Sequence, residues 1–117
     1  MSTLLFIYGT LHPDRAPAEI APVVRTLTPL GPATIRGTLL DFGDYPGVVL
    51  NPDGPEVPGH LFALPDPAVW TLLDAYEDFR PADPAASLCL RVQTTATTPD
   101  GSSRPCWVYV YNRQPPL

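Results

Sequence analysis

The chain contains no lysine. All seven of its basic residues are arginines, set against twelve acidic ones, and the net charge is −5. The arginines form no cluster. An acidic chain without a basic patch is repelled by phosphate backbones, which speaks against nucleic acid as a partner. Cysteine is nearly absent: Cys89 and Cys106 stand alone, in no metal-type spacing. His12 and His60 are far apart in sequence, with no third ligand type beside them, so no metal site is expected. No Walker or Rossmann glycine pattern occurs, and no cofactor is expected. Long hydrophobic runs are also missing. The apolar stretch at residues 3–8 is too short to span a bilayer and has no basic segment before it. The expectation is a cytoplasmic protein, off the membrane, with both thiols reduced. Repeats and low-complexity segments are absent too.

What is present is enough for a core. With 117 residues and 44% hydrophobic content, the chain reads as one domain over 1–117. It would bury roughly two-thirds of its unfolded surface, without a disulfide or metal staple. Proline is abundant, 17 residues scattered along the chain, and it mostly punctuates short apolar runs.

Thr3 to Tyr8 is a continuous apolar run ending at Gly9 and reads as a buried central strand. Residues 18–26 suit a short helix, with Pro17 at its start. A strand interrupted by Gly37 follows at 32–40, then a turn at Asp41–Gly47. Short strands at 48–50 and 57–64 come next. Asp66 reads as a helix cap with Pro67 at the first position, and the helix runs to about Asp78. After a loop at 80–86, strands at 88–97 and 105–112 flank the turn Pro99-Asp100-Gly101. About six strands, one firm helix and a possible second short helix make an α+β fold, a small mixed curved sheet or β-barrel with the helices packed on it.

On a wheel at about 100° per residue, Val69, Leu72, Leu73 and Tyr76 share one face, with Trp70 to its side. Glu77 falls between Leu73 and Trp70, inside the apolar arc, whereas Thr71, Asp74 and Asp78 fall toward solvent. A lone carboxylate there is costly unless it is paired, hydrogen-bonded or functional. Partial burial would raise its pKa toward neutrality, as general acid/base chemistry requires. Either Glu77 does that work, or it swings out to water at the helix end. The loop Tyr8-Gly9-Thr10-Leu11 directly follows the first strand. Gly9 permits a tight turn, and successive backbone N–H groups there can cradle an anion or a carbonyl oxygen. By itself this is also an ordinary strand exit.

Taken in order, Leu5-Phe6-Ile7-Tyr8-Gly9-Thr10-Leu11, Ile35-Arg36-Gly37-Thr38-Leu39, Tyr45-Pro46-Gly47, Val57-Pro58-Gly59-His60-Leu61-Phe62, Leu73-Asp74-Ala75-Tyr76-Glu77 and Trp107-Val108-Tyr109-Val110-Tyr111 resemble the gamma-glutamylcyclotransferase-like family, in its small AIG2-like branch. The resemblance spans nearly the whole chain. It implies a small mixed β-barrel with a cavity at the Tyr-Gly-Thr-Leu loop. It also implies an enzyme that converts a gamma-glutamyl amine, amino acid or dipeptide into 5-oxoproline and the released amine, with Glu77 as acid/base. No cofactor or metal is implied. In two places the chain departs from the family's habit. Asp78 follows Glu77 where glycine is common, and Cys89 stands near a position often held by tyrosine.

Arg91 suits a substrate carboxylate, but an exposed strand arginine more commonly serves a surface or structural ion pair. Tyr45, Pro46 and Gly47 suit the mouth of a pocket, or a plain turn. Tyr109 and Tyr111 share a strand face by alternation; core or rim packing suits both, and Tyr111 is the one the resemblance puts at a pocket. Cys89 and Cys106 suit packing, with a possible meeting across the last hairpin. The rival to an enzyme is a non-catalytic module that binds a small molecule on the same fold. Glu77 separates the two, because a binder of a carboxylate-bearing ligand gains nothing from a buried like charge.

Overall fold

A computed structural model describes residues 3–8, 18–41 and 46–112. Its elements are β1 (Thr3–Ile7), α1 (Ala21–Val24), β2 (Thr28–Asp41), β3 (Pro46–Leu50), β4 (Glu56–Leu64), α2 (Val69–Tyr76), β5 (Cys89–Thr97) and β6 (Ser103–Tyr111). A single 3₁₀ turn at Pro84–Ala86 leads into β5. The strands neighbour one another in the order β2-β4-β1-β6-β5, and β5 returns to β2 through the pair Thr34 and Thr97. That closes a five-strand barrel. β3 lies outside it, paired to the far end of β2. All these pairings are antiparallel except β1 with β6. The fold is the α+β barrel with two helices expected from the sequence.

The continuous apolar run of β1 has a simple cause: both its faces are buried. Leu4 and Phe6 point into the barrel with Ala33, Ile35, Val57, Val108 and Val110. Leu5 and Ile7 point outward, under the helices, with Val24, Phe62, Leu73 and Tyr109. The two cores therefore share one strand. In and around α1, Ile20, Val24 and Leu27 are buried in the second of these cores, and Ala21 is buried as well.

Many strand prolines occupy positions with a neighbour on one side only, where a missing N–H costs nothing. Pro29 and Pro32 lie on β2 where it pairs with β4 alone, since β5 meets β2 at Thr34. Pro58 lies on β4 before β1 joins at His60. β2 thus begins at Thr28, earlier than the proline pattern suggests. A bulge between Pro29 and Gly31 re-aims it, and Gly31 takes a φ of 108° there. Gly59 serves a different need. A Cβ at this position would sit 2.5 Å from the Ile7 carbonyl oxygen and 2.5 Å from Phe6 Cζ.

The wheel placed α2 incorrectly in two respects. Leu72 is 53% exposed, whereas Asp74 is buried at 7%. The buried stripe consists of Leu73 and Asp74, with Val69, Trp70 and Tyr76 half-buried beside them. The helix also starts later than the Asp66–Pro67 signal implies. Asp66 Oδ1 accepts the Ala68 N–H at 2.8 Å in the turn before it.

Candidate active site

Glu77 is the residue that ends α2. The next residue, Asp78, takes a left-handed φ of 56°. The Phe79 N–H then reaches back to the Asp74 carbonyl at 2.8 Å, and the Asp78 N–H to the Ala75 carbonyl at 3.3 Å. This pair of bonds is a Schellman closure, normally built on glycine. Here an aspartate fills the left-handed position. The closure holds Glu77 partly buried at the helix end instead of letting it fray into water.

The surroundings of Glu77 come from three strands. Cys89 opens β5, is buried, and pairs across to Tyr111 of β6. Its thiol lies beside the Glu77 carboxylate, where a protonated thiol favours the charged carboxylate. Tyr8 follows the last residue of β1, and its hydroxyl donates to the Tyr109 carbonyl at 2.7 Å. Burial pushes the Glu77 carboxyl from 4.5 up to about 7, and the Cys89 hydrogen bond pulls the other way. Burial, then the charge of Glu77, pushes the Tyr8 hydroxyl far above its ordinary value. Burial, then the Glu77 and Asp78 carboxylates, pushes the Cys89 thiol up to about 12. At neutral pH the thiol stays protonated, which suits a hydrogen-bond donor and not a nucleophile. The arrangement can therefore take up and return one proton near neutrality at Glu77, beside two protonated hydroxyl or thiol groups.

A second cluster adjoins the first. Asp74 Oδ1 accepts the Tyr109 hydroxyl at 2.7 Å, and Asp74 Oδ2 lies 3.4 Å from Arg91 Nη1. The Arg91 guanidinium lies 4.1 Å from the centre of the Trp70 ring and 5.4 Å from that of Trp107. Arg91 was expected on an exposed strand face. Its side chain is instead only 20% exposed, because β5 turns it under α2. The importance of Asp74, Tyr109 and the two tryptophans was not visible from spacing. The aromatic-rich alternation of β6 opposite an arginine was the available clue.

Of the other residues singled out from the sequence, Pro46 and Gly47 begin β3, and Tyr111 ends β6, half-buried on the same face as Tyr109. Gly9, Thr10, Leu11, Tyr45 and His12 lie outside the described residues. The two cysteines do not face each other: Cys106 pairs with Thr94, inside the barrel, and both thiols are free. A cleft of about 670 Å³ opens beside Tyr8, lined by Pro32, Thr34, Glu56 and His60 among others; it shares Tyr8 with the Glu77 cluster but does not include Glu77. Among the described residues no group of three or more His, Cys, Asp or Glu could hold a metal ion. No helix among them is long and apolar enough to cross a membrane.

The gamma-glutamyl cyclotransferase, AIG2-like family matches residues 5–117. Solved structures share the fold at low identity. An AIG2-like protein from Mus musculus superposes with a TM-score of 0.76 at 20% identity, over 98% of this chain and 80% of that one. A structure described as a gamma-glutamyl cyclotransferase gives a TM-score of 0.69 at 17% identity, over 96% and 68%. YkqA from Bacillus subtilis gives 0.72 at 21% identity over 96% of this chain, which spans only 36% of that protein's length. A comparison with curated protein sequences finds no match.

Proposed function

Because the chain belongs to the gamma-glutamyl cyclotransferase, AIG2-like family, we propose that it is a cyclotransferase acting on a small gamma-glutamyl amine, amino acid or dipeptide. It releases 5-oxoproline and the free amine. The observation that carries this reading is Glu77: a carboxyl held in a sheltered place by the helix end, next to Tyr8 and Cys89, and pushed up to about 7.

The substrate supplies its own nucleophile. Its α-nitrogen attacks the γ-carbonyl carbon, a C–N bond closes the five-membered ring, and the bond from that carbon to the leaving nitrogen breaks. The α-ammonium sheds two protons on the way to the lactam N–H. Glu77 takes the first, which frees the attacking lone pair, and returns it to the leaving nitrogen as the C–N bond breaks. The second also ends on the released amine, which departs as its ammonium, so Glu77 ends the cycle unchanged. The remainder of the barrier falls by folding the substrate into attack geometry, a proximity effect. Tyr8, the backbone N–H groups of Gly9, Thr10 and Leu11, and Tyr45, Pro46, Gly47 and Tyr111 are the proposed holders of the glutamyl unit. Backbone donors at such a loop also stabilise developing oxyanion charge. No external nucleophile, metal or cofactor enters the scheme.

The test is 5-oxoproline release from a panel of gamma-glutamyl amino acids and amines, comparing wild type with Glu77→Gln. Release by wild type and a loss of at least ~10²-fold in the variant are expected. The best panel member identifies the leaving group. Equal release by both proteins removes Glu77 from the mechanism. No release from any compound by wild type leaves the other class, a module that binds without turnover.

A further inference from the structure

Asp74 precedes Glu77 by three residues, so the two carboxyls leave α2 one turn apart on neighbouring faces. Residue 74 fixes that turn twice. Its side chain is tied to the strands through Tyr109 at 2.7 Å and Arg91 at 3.4 Å. Its carbonyl accepts the Phe79 N–H at 2.8 Å, closing the backbone loop that contains Glu77. The strand side of the tie is equally confined. The Arg91 guanidinium packs against Trp70 at 4.1 Å, Trp107 at 5.4 Å and Phe79 at 5.7 Å. Its Nε and Nη1 are buried and have no hydrogen-bond acceptor among the described residues, so the approach to Asp74 is an ion pair and not an aligned hydrogen bond.

That geometry does not suit recognition of a carboxylate ligand. An arginine that grips a carboxylate presents two parallel N–H groups in a fork to open space. Here two of the fork's nitrogens are shut in by protein, and the charge is already paired with Asp74. The same strands complete the site. Tyr109 donates its hydroxyl to Asp74 while its carbonyl receives the Tyr8 hydroxyl. One run of contacts thus leads from Arg91 through Asp74 and Tyr109 to Tyr8, around Glu77.

We propose that Asp74 and Arg91 are positioning residues for Glu77: the pair clamps the last turn of α2 onto β5 and β6, which sets the carboxyl beside Tyr8 and Cys89, and Arg91 does not contact the substrate. The inference rests on Glu77 being the acid/base. Besides the clamp itself, the titratable groups that face Glu77 among the described residues are Tyr8 just past β1, Cys89 from β5 and Tyr109 from β6, with Asp78 following it in the chain.

The experiment compares Arg91→Met, Asp74→Asn and the double variant in the 5-oxoproline assay. Each single variant leaves one charge buried without its partner; the double variant leaves none, and the amide oxygen introduced by Asp74→Asn still offers the Tyr109 hydroxyl an acceptor. Each single change should lower kcat by roughly 10–10²-fold with KM moved less than about threefold, because a small displacement of the acting group costs turnover and not binding. The double variant should regain at least about fivefold of kcat. A roughly 10²-fold rise in KM for Arg91→Met, with Asp74→Asn unaffected and no recovery in the double, overturns the proposal and makes Arg91 the holder of a substrate carboxylate.

A carboxyl titration by NMR separates this inference from the proposed activity. Removing the Arg91 cation by charge alone would raise the Glu77 midpoint, whereas freeing the turn to water lowers it toward 4.5. The clamp requires the midpoint to fall in Arg91→Met and to climb back in the double variant. A midpoint that rises or stays put overturns it. If wild type releases no 5-oxoproline, the cyclotransferase reading fails, and the titration still decides whether the clamp sets Glu77.

Discussion

Replacing Glu77 by glutamine tests the buried carboxyl without requiring any substrate. In the folded protein its carboxyl is pushed from 4.5 to about 7, chiefly by burial. A carboxyl whose folded value lies above its unfolded one destabilises the fold when it ionises. Its contribution is whole below about pH 4.5, shrinks as the pH rises, and is gone above about pH 7. Glutamine cannot ionise, so it keeps a constant contribution. At about 1.4 kcal/mol for each pH unit, the rise from 4.5 to about 7 sets an upper bound of about 3.5 kcal/mol on the change in the stability difference between the two proteins. Glu77 is not fully sealed from solvent, and screening brings the expected change to about 1–2 kcal/mol. The glutamine variant therefore gains on wild type between pH 4.5 and 7, by several degrees of Tm at pH 8, at roughly 4 °C per kcal/mol for a chain of this size. Urea unfolding in steps from pH 4 to 8 measures it, and Trp70 and Trp107, 6.1 Å apart beside the site, report the transition. Other titrating groups are common to both proteins and cancel in the difference. A difference that stays flat from pH 4 to 8, or one that favours wild type as the pH rises, refutes the buried-carboxyl reasoning.

Gly59→Ala should lose about 2–3 kcal/mol, because the new methyl meets the Ile7 carbonyl and the Phe6 ring at 2.5 Å and neither can withdraw without moving β1; an unchanged urea midpoint would contradict the close approach. Asp78→Gly should gain about 0.5–1 kcal/mol in thermal unfolding, since glycine takes the left-handed φ of 56° without strain and the Arg80 pair it gives up is on the surface. Cys89→Ser puts a stronger donor on the Glu77 carboxylate, which favours the charged form. The rising limb of kcat/KM, expected near pH 7 in wild type, should move to lower pH; a limb that stays in place would remove the thiol from the Glu77 environment.

Local signals carried most of the fold and, of the candidate site, the sheltered place of Glu77. The strand at residues 3–8 was legible because a run buried on both faces needs no periodicity, and Glu77 because one carboxylate stood inside an apolar arc. Prolines misled at β2 for a physical reason. A proline breaks a strand only where an N–H is owed to a neighbour, and the register that leaves Pro29 and Pro32 without one on that side is a property of the closed barrel. Asp74 was assigned to solvent for the same kind of reason. The wheel scores residues by polarity, yet what draws Asp74 inward is a cation on β5 and a hydroxyl on β6, far along the chain. Those partners also separate the two carboxyls chemically. They leave the same helix one turn apart, but Asp74 has a cation and a phenol beside it, while Glu77 has a thiol and no cation among the described residues. Two carboxyls in different surroundings take different parts. The paired one is suited to hold a shape. The one without a cation is left with a proton it can gain or lose near neutrality, which is what the proposed cyclisation asks of its acid/base.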